Sequence, residues 1–304
     1  MLQISQKERL LIMTKDSNLE IIQKWRNANN DTPSIKDKIK QSGAKSEKEY
    51  YEQYATEQEF LNWYRRQEHD NYPKPSLTVD LIGLRWNSHT KTVQILLVKR
   101  KNHPFKDHWA LPGGFVQENE SINDAIVRET FEETHIQIKE SDQIAGLPNI
   151  IRLPAVSKPG RDPRLWVVTN PNIVLFNQRQ FKQTQPVAND DAKNARWFDI
   201  KFVNHQIQIE DNPKLAFDHL AIIQTAFEYL YQDFDHRRLP IVTNLLNKRV
   251  TLPELTKCYQ QFKNIKSTAQ NLARLYPTQL IPTDDKIKLT KGVGKAQKIY
   301  LVMK

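Results

Sequence analysis

The stretch WALPGGFVQENESINDAIVRETFEETHI, residues 109–136, decides the fold. Ser121 is a helix N-cap, with Asp124 three residues on as a capping-box variant. Ile122, Ala125 and Ile126 give the helix a buried stripe. Glu129, Glu132 and Glu133 then stand at i, i+3 and i+4, so the three carboxylates project from one side. Such a cluster repels itself unless a cation neutralises it, and hard oxygen donors favour Mg²⁺ or Mn²⁺ over a softer metal. Arg128 is placed to pair with one of these carboxylates and fix its rotamer. Pro112-Gly113-Gly114, just upstream, is a loop whose backbone can approach closely and expose a carbonyl. An isolated Glu-x-x-Glu-Glu run would be a solvated helix face.

Working outward, Leu77–Leu84 and Val93–Val98 are β-rich runs around Asn87-Ser88-His89, which predicts a hairpin. Trp166–Val168, Ile173–Phe176 and Arg196–Ile200 are further strand candidates, and Leu215–Phe234 is a second helical pattern. Strands and helices mix without strict alternation, which predicts a mixed sheet covered by helices. Residues 1–75 read as a polar helical extension. Leu19, Ile21, Ile22 and Trp25 form one amphipathic signal, and Tyr50, Tyr51, Tyr54, Leu61 and Tyr64 another. Asn27–Ser46 between them reads as a loop, and Tyr72-Pro73-Lys74-Pro75 ends the segment.

The chain has 304 residues and a net charge of +10. Its length suits two domains with an appendage, and its charge suits an anionic partner. The charge is uneven. The last 68 residues hold 14 Lys and Arg against three acids, a net of +11, and the rest sums to −1. This places a boundary near 235, giving segments 1–75, 76–235 and 236–304. The single cysteine, Cys258, excludes a disulfide framework and a cysteine zinc site, and suits a reducing cytoplasm. The eight histidines show no zinc spacing. The four-residue apolar run Leu10–Met13 is too short for a signal peptide or a membrane span.

The order Gly114, Glu120, Arg128-Glu129, Glu132-Glu133 has the spacing of the Nudix box, and this region resembles the Nudix hydrolases over about 23 residues. His135 departs from the pattern, which has Gly there; a left-handed residue often closes a helix end at such a position, so His should strain the turn without removing a ligand. The resemblance implies an α/β/α sandwich that hydrolyses a nucleoside diphosphate linked to a further group, using Mg²⁺ or Mn²⁺. By position, Glu129 and Glu133 become the strongest metal-ligand candidates. Glu132 becomes a further ligand or a base, the Gly113 carbonyl a coordinating group, and Glu120 and Arg128 orienting residues. Val98-Lys99-Arg100 with Pro104-Phe105, Arg161-Asp162-Pro163-Arg164, Asp190-Asp191-Ala192 leading to Arg196-Trp197-Phe198, and Leu215-Ala216-Phe217-Asp218-His219 narrow the likeness. In this order they resemble ADP-ribose pyrophosphatases and the ADP-ribose-responsive Nudix-related regulators of NAD metabolism.

Substrate-contact candidates are therefore Arg100, Phe105, Trp109, Gly114, Arg161 and Arg164. The two arginines of the Pro/Gly loop suit a diphosphate, or else a surface ion pair. Phe105, Trp109 and Trp166 suit adenine stacking or, more commonly, core packing. Asp218-His219 suits helix capping or ligand binding equally.

In the basic segment, Thr251-Leu252-Pro253-Glu254 is a capping box followed by Leu255, Tyr259 and Phe262 on one face. Ser267-Thr268-Ala269-Gln270 is a second cap, opening a helix with Leu272 and Leu275 inward and Gln270, Asn271 and Arg274 outward. Lys286–Val302 reads as a hairpin around Lys291-Gly292-Val293-Gly294. Helix, helix and hairpin resemble a winged helix-turn-helix. In that geometry Gln270, Asn271 and Arg274 read base edges, while Lys286, Lys288, Lys291 and Lys295 contact phosphates of double-stranded DNA. Two-fold DNA sites imply a homodimer. Three readings stand at this point: a Mg²⁺-dependent ADP-ribose pyrophosphatase coupled to DNA binding, an ADP-ribose sensor with little or no turnover, and a Nudix hydrolase for another dinucleotide such as NADH.

Overall fold

A computed structural model of the chain describes residues 34–64, 66, 74–138, 150–180, 182, 184–187, 192–235, 238–263, 269–287 and 296–303. The chain divides into two compact units, Met1–Pro73 and Lys74–Lys304.

The described part of the first unit is helical, with α1 (Ile35–Ser42), α2 (Glu47–Gln53) and α3 (Glu57–Tyr64). α1 corrects the loop expected across Asn27–Ser46. Ser34 caps it by accepting from Asp37 N, and Gly43 stops it in the left-handed region at φ +78°. Its polar composition hid a helix that its caps specify. The tyrosine-rich pattern is two helices, broken after Tyr54 and restarted where Thr56 and Glu59 cap one another. Tyr51 stacks on Trp63 at 5.0 Å and Lys38 pairs with Glu59 at 2.7 Å. The amphipathic signal at Leu19–Trp25 lies outside the described residues.

The second unit is built on a mixed sheet. β1 (Ser76–Asn87) and β2 (Thr92–Arg100) form the expected hairpin, with Trp86 opposite Val93. β5 (Val167–Phe176) runs parallel to β1, merging two predicted strands into one. β6 (Ala192–Val203) lies antiparallel to β2 and β7 (Gln206–Ile209) to β6, while β4 (Ile150–Arg152) edges β5. The order is β4-β5-β1-β2-β6-β7, with the short β3 (Trp109–Ala110) also on β2.

Alternation along these strands loads both faces. Val79, Leu81, Leu96, Val174 and Phe176 pack with Ala125 and Ile126 of α4 (Ile122–Thr134). Ile82, Leu84, Ile95, Leu97, Ile173 and Leu175 pack with Ile222, Ile223 and Phe227 of α5 (His219–Gln232). The result is the expected mixed sheet between helices, with α4 bringing the acidic motif to one face.

The second core continues without interruption into the C-terminal segment. Phe227 stacks on Phe262 at 5.5 Å. Asn177, just past β5, donates to the carbonyls of Asn244 and Leu246. β8 (Arg249–Thr251), α6 (Leu252–Tyr259), α7 (Ala269–Leu275), β9 (Leu280–Ile287) and β10 (Gln297–Val302) follow, with sheet order β8-β10-β9. Thr251 caps α6 as its box predicts, and Leu255, Tyr259 and Phe262 are buried. Leu272 is buried, but Leu275 is 62% exposed, against the expectation. α7 ends at Leu275, and the chain turns so that Tyr276 and Leu280 fill the core instead. The Ser267-Thr268 cap and the 288–295 turn, with Lys288, Lys291 and Lys295, lie outside the described residues.

Candidate active site

α4 starts where the motif predicts: Ser121 accepts from Asp124 N, and its hydroxyl donates to the Asp124 carboxylate at 2.6 Å. It ends at His135, which adopts φ +57° and sends its N–H to the Phe131 carbonyl. The residue in the box Gly position therefore does occupy the left-handed region, where a side chain is strained. The His135 Nδ1 sits 3.2 Å from the Val187 carbonyl, and the Thr134 carbonyl accepts from Val187 N. Thr130 and Thr134 are buried and direct their hydroxyls to carbonyls four residues back.

The Gly-Gly loop is clamped to β1. Leu81 N donates to the Pro112 carbonyl and Val79 N to that of Gly114. A Cβ on Gly113 would lie 2.1 Å from the Val79 backbone oxygen, which excludes a side chain there, and one on Gly114 would lie 2.5 Å from Glu129 Oε1, so that carboxylate would have to move. The loop thus presses against the α4 carboxylates, and Gly113 N donates to Glu133 Oε2 at 2.9 Å.

Arg128 organises the rest of this wall. Its Nε and Nη2 hold both oxygens of Glu120 at 2.7 and 2.9 Å. Nη1 reaches Glu129 at 2.7 Å and Glu132 at 2.9 Å, and Nη2 also donates to the Phe115 carbonyl. The Arg128 bond pulls the Glu120 pKa down to about 2. Glu129 shifts the other way, because burial outweighs its Arg128 contact.

Among the described residues no three His, Cys, Asp or Glu groups stand gathered as a ready cage. The carboxylates are engaged by Arg128 and the Gly113 amide. The donor set nonetheless fits a hard divalent ion. Three carboxylates lie within five residues of one helix, beside a Gly-Gly loop whose backbone approaches them closely, which is an all-oxygen donor set of the kind such ions take.

A cleft of about 510 Å³ opens in front of this wall. Glu129, Glu132 and Glu133 line one side, and Lys99, Arg100 and Arg164 supply positive charge around the rest. It joins a smaller cavity of about 60 Å³, floored by Asp80, Arg161 and His219. That floor is a buried polar cluster. Arg161 donates to both oxygens of Asp218, at 2.7 and 3.1 Å, and approaches Asp80 at 3.4 Å. Thr169 donates to Asp80 at 2.7 Å. His219 Nδ1 accepts from Leu111 N at 2.9 Å, so its proton sits on Nε2, 3.5 Å from Asp80. Burial lowers the His219 pKa, and the ring is neutral.

The sequence candidates distribute unevenly over this geometry. Glu129, Glu132, Glu133, Gly113, Gly114, Arg100 and Arg164 line the cleft, and Glu120 and Arg128 stand behind it. Arg161 reaches the floor but is tied into a buried ion pair. Asp218 makes no capping bond, because Arg161 takes its carboxylate. Arg164 is held by Asp162, whose carboxyl stays low because the Arg164 bonds outweigh burial. Phe105 packs on Phe217 at 4.8 Å, and Trp109 packs edge-on against Phe198 at 4.7 Å; neither lines the cleft. Trp166 is exposed. Sequence reasoning missed Asp80, Thr169, Phe115 and Phe217. Asp80 carried a signal: it is a lone charge inside the apolar run Leu77–Leu84. In the basic segment Asn271, Arg274 and Lys286 are exposed, whereas the Gln270 side chain is outside the described set.

Residues 74–218 match the NUDIX domain model. The chain is 30% identical to the ADPR responsive transcriptional repressor NtrR of Acinetobacter baylyi, over 68% of this chain and 73% of that one. It is 39% identical to the ADP-ribose pyrophosphatase of Methanocaldococcus jannaschii, over 50% and 73%. A MutT/nudix family protein of Enterococcus faecalis superposes with a TM-score of 0.68 at 32% identity, covering 89% of this chain and 99% of that one. Shewanella oneidensis NrtR complexed with a 27mer DNA superposes with a TM-score of 0.53 at 26% identity, covering 74% and 93%. The Gly-Gly loop clamped against an acidic helix on a mixed sheet, and these likenesses, agree: the chain belongs to the Nudix family.

Proposed function

We propose that the chain is a Mg²⁺-dependent Nudix hydrolase that cleaves the diphosphate of ADP-ribose, joined to a C-terminal DNA-binding domain. The observation that carries the enzymatic reading is the placement of Glu129, Glu132 and Glu133 on one wall of a cleft whose remaining walls bring Lys99, Arg100 and Arg164. A divalent ion held by Glu129, Glu132, Glu133 and the Gly113 carbonyl would neutralise the phosphoryl oxygens and lower the pKa of a water. The protein's own groups do the remaining work. Arg100 binds diphosphate oxygens, and Glu132, 41% exposed against 14% for Glu129, accepts the proton of the attacking water. Glu120 and Arg128 fix the carboxylate rotamers. Water adds to one phosphorus and the bridging P–O bond breaks, giving AMP and ribose 5-phosphate. Arg161 is a reserve contact, available only if a ligand displaces Asp218.

The C-terminal reading is a winged helix-turn-helix over residues 236–304, following a Nudix domain over 76–235 and a helical extension over 1–75. The order β8-α6-α7-β9-β10, the sheet order β8-β10-β9 and the +11 charge support it. Asn271, Arg274 and Gln270 on α7 would face base edges, and Lys286, Lys288, Lys291 and Lys295 the phosphates. The expected form is a cytoplasmic homodimer; among the described residues no helix is long and apolar enough to cross a membrane. The second reading is an ADP-ribose sensor with little turnover. The strained His135 at the end of α4 favours it, as does the resemblance to an ADPR responsive repressor.

AMP release from ADP-ribose with Mg²⁺ tests the enzyme. Wild type should turn over, and Glu133→Gln, which keeps an acceptor for Gly113 N, should lose at least about 100-fold. A wild type without AMP release overturns ADP-ribose hydrolysis and leaves the sensor or a hydrolase for another dinucleotide such as NADH. Gel shifts on the protein's own promoter region, with and without ADP-ribose, test the regulator. Binding should fall steeply with salt and change with ligand. Salt-independent or absent binding overturns the winged-helix reading.

A further inference from the structure

We infer that Phe115 is the aromatic platform on which the nucleobase of the ligand stacks, with Arg164 closing over it. This rests on the nucleoside-diphosphate reading above and names which group of that ligand goes where.

Sequence reasoning offered Phe105, Trp109 and Trp166 for stacking. The first two are consumed by packing against Phe217 and Phe198, and none of the three lines the cleft. Phe115 lines both the wide cleft and the smaller cavity, so it stands where the two meet. The residue is 41% exposed.

That exposure is not the result of a loose loop. Phe115 bridges Thr78 across the edge of β1, and its carbonyl accepts from Arg128 Nη2 at 3.0 Å. Its neighbours are held as well, Gly114 O by Val79 N and Val116 N by Leu77 O. The backbone that presents the ring is held, and a large apolar ring left exposed to water is costly unless something covers it. The backbone bond to Arg128 also ties the ring's position to the box carboxylates.

The Arg164 guanidinium lies 5.7 Å from the ring centroid. Its Nε and Nη2 are held in plane by Asp162, and Asp162 also accepts from the Arg164 amide, so the guanidinium is itself positioned. A planar base inserted between two such faces needs roughly 7 Å, about twice the aromatic stacking distance. The Arg164 side chain is 42% exposed, so it can move outward as a base enters, at the expense of its Asp162 bonds. Ring below and cation above is the arrangement that holds a base by its π-face without reading its edge. The site therefore binds the base through stacking and tolerates different bases, while the carboxylate wall acts on the diphosphate.

The test is calorimetric binding to the full-length chain, using ADP-ribose, AMP and ribose 5-phosphate as probes with wild type, Phe115→Leu and Phe115→Trp. Leu keeps the bulk and apolarity of the site but offers no π-face. Stacking predicts that Phe115→Leu weakens ADP-ribose and AMP by about 5- to 100-fold, that Phe115→Trp restores both, and that ribose 5-phosphate is unmoved. Thermal unfolding of each variant, expected within a few degrees of wild type, shows that the fold persists. Unchanged AMP affinity in Phe115→Leu, or an equal loss for ribose 5-phosphate, overturns the stacking role alone. Failure of the wild type to bind ADP-ribose or AMP overturns the nucleotide reading and this inference together.

Discussion

Two arginine–carboxylate clusters border the cleft and the smaller cavity that joins it, and they differ in almost everything else. In the wall, Arg128 spans Glu120, Glu129 and Glu132 within thirteen consecutive residues, with its own side chain 22% exposed. In the floor, Arg161 holds Asp218 and Asp80, drawn from three distant parts of the chain, at 5% exposure. The wall is an array of charges that water still reaches, and exchanging one partner there re-sorts the others. The floor is sealed, so each member is committed to its partners. A partly exposed cluster can trade Arg128 for an incoming cation, whereas a more deeply buried one holds a scaffold in place.

The sharpest way to break this contrast is to remove each arginine. Arg161→Ala leaves the buried Asp80 and the part-buried Asp218 without their arginine and should cost about 3–5 kcal/mol in denaturant unfolding. A loss under 1 kcal/mol would show that the floor is wetter than its burial implies. Arg128→Ala should act the other way round. Stability should move by about 1 kcal/mol or less, while AMP release falls about 10- to 100-fold, because the carboxylates lose their orienting partner. Equal stability losses for the two variants would erase the distinction.

A smaller effect separates the clusters by pH. Burial lowers the His219 pKa below its ordinary 6.5; Asp80 and Asp218 oppose that shift, and Arg161 and Arg100 add to it. The folded chain therefore prefers the neutral ring. The stability this preference gives is complete above about pH 6.5, where the unfolded histidine is also neutral. It is lost as pH falls, because the unfolded chain takes up the proton first. His219→Asn keeps an acceptor for Leu111 N and removes the titration. Denaturant midpoints at pH 7.5 and 5.5 should fall further in wild type than in the variant, and equal falls would mean that the floor does not sense protons.

How far the molecule was legible follows the same division. The wall could be read because helix spacing is local: Ser121, Arg128 and the three glutamates fix one another by count alone. The floor could not, since Asp80, Arg161, Thr169 and Asp218 meet only after β1 and β5 pair. The charge and loop of Arg161 are visible in the sequence and its partner is not, so a ligand contact and an ion pair read the same. Phe115 was hidden by its neighbours: two glycines drew attention to the backbone, and nothing in the sequence shows a ring held outward. α1 was misread because composition outweighed its caps.

The smallest expected effect lies at the end of the wall. His135→Gly relieves a left-handed side chain and should raise stability by about 1 kcal/mol, less what the lost Val187 contact contributed. A fall in the unfolding midpoint would show that the tether to Val187 outweighs the strain.

The unbroken core beneath α5 also bears on how this chain can be divided. Val250, Leu255, Tyr259 and Phe262 share one apolar cluster with Leu84, Ile95 and Phe227. A protease cut or a truncation near residue 235 would not yield two tidy fragments; it would leave two matching greasy scars, each prone to aggregate. The basic end is thus less a bead on a string than a keystone, and a chimera that swaps it must carry over the seat on α5 as well.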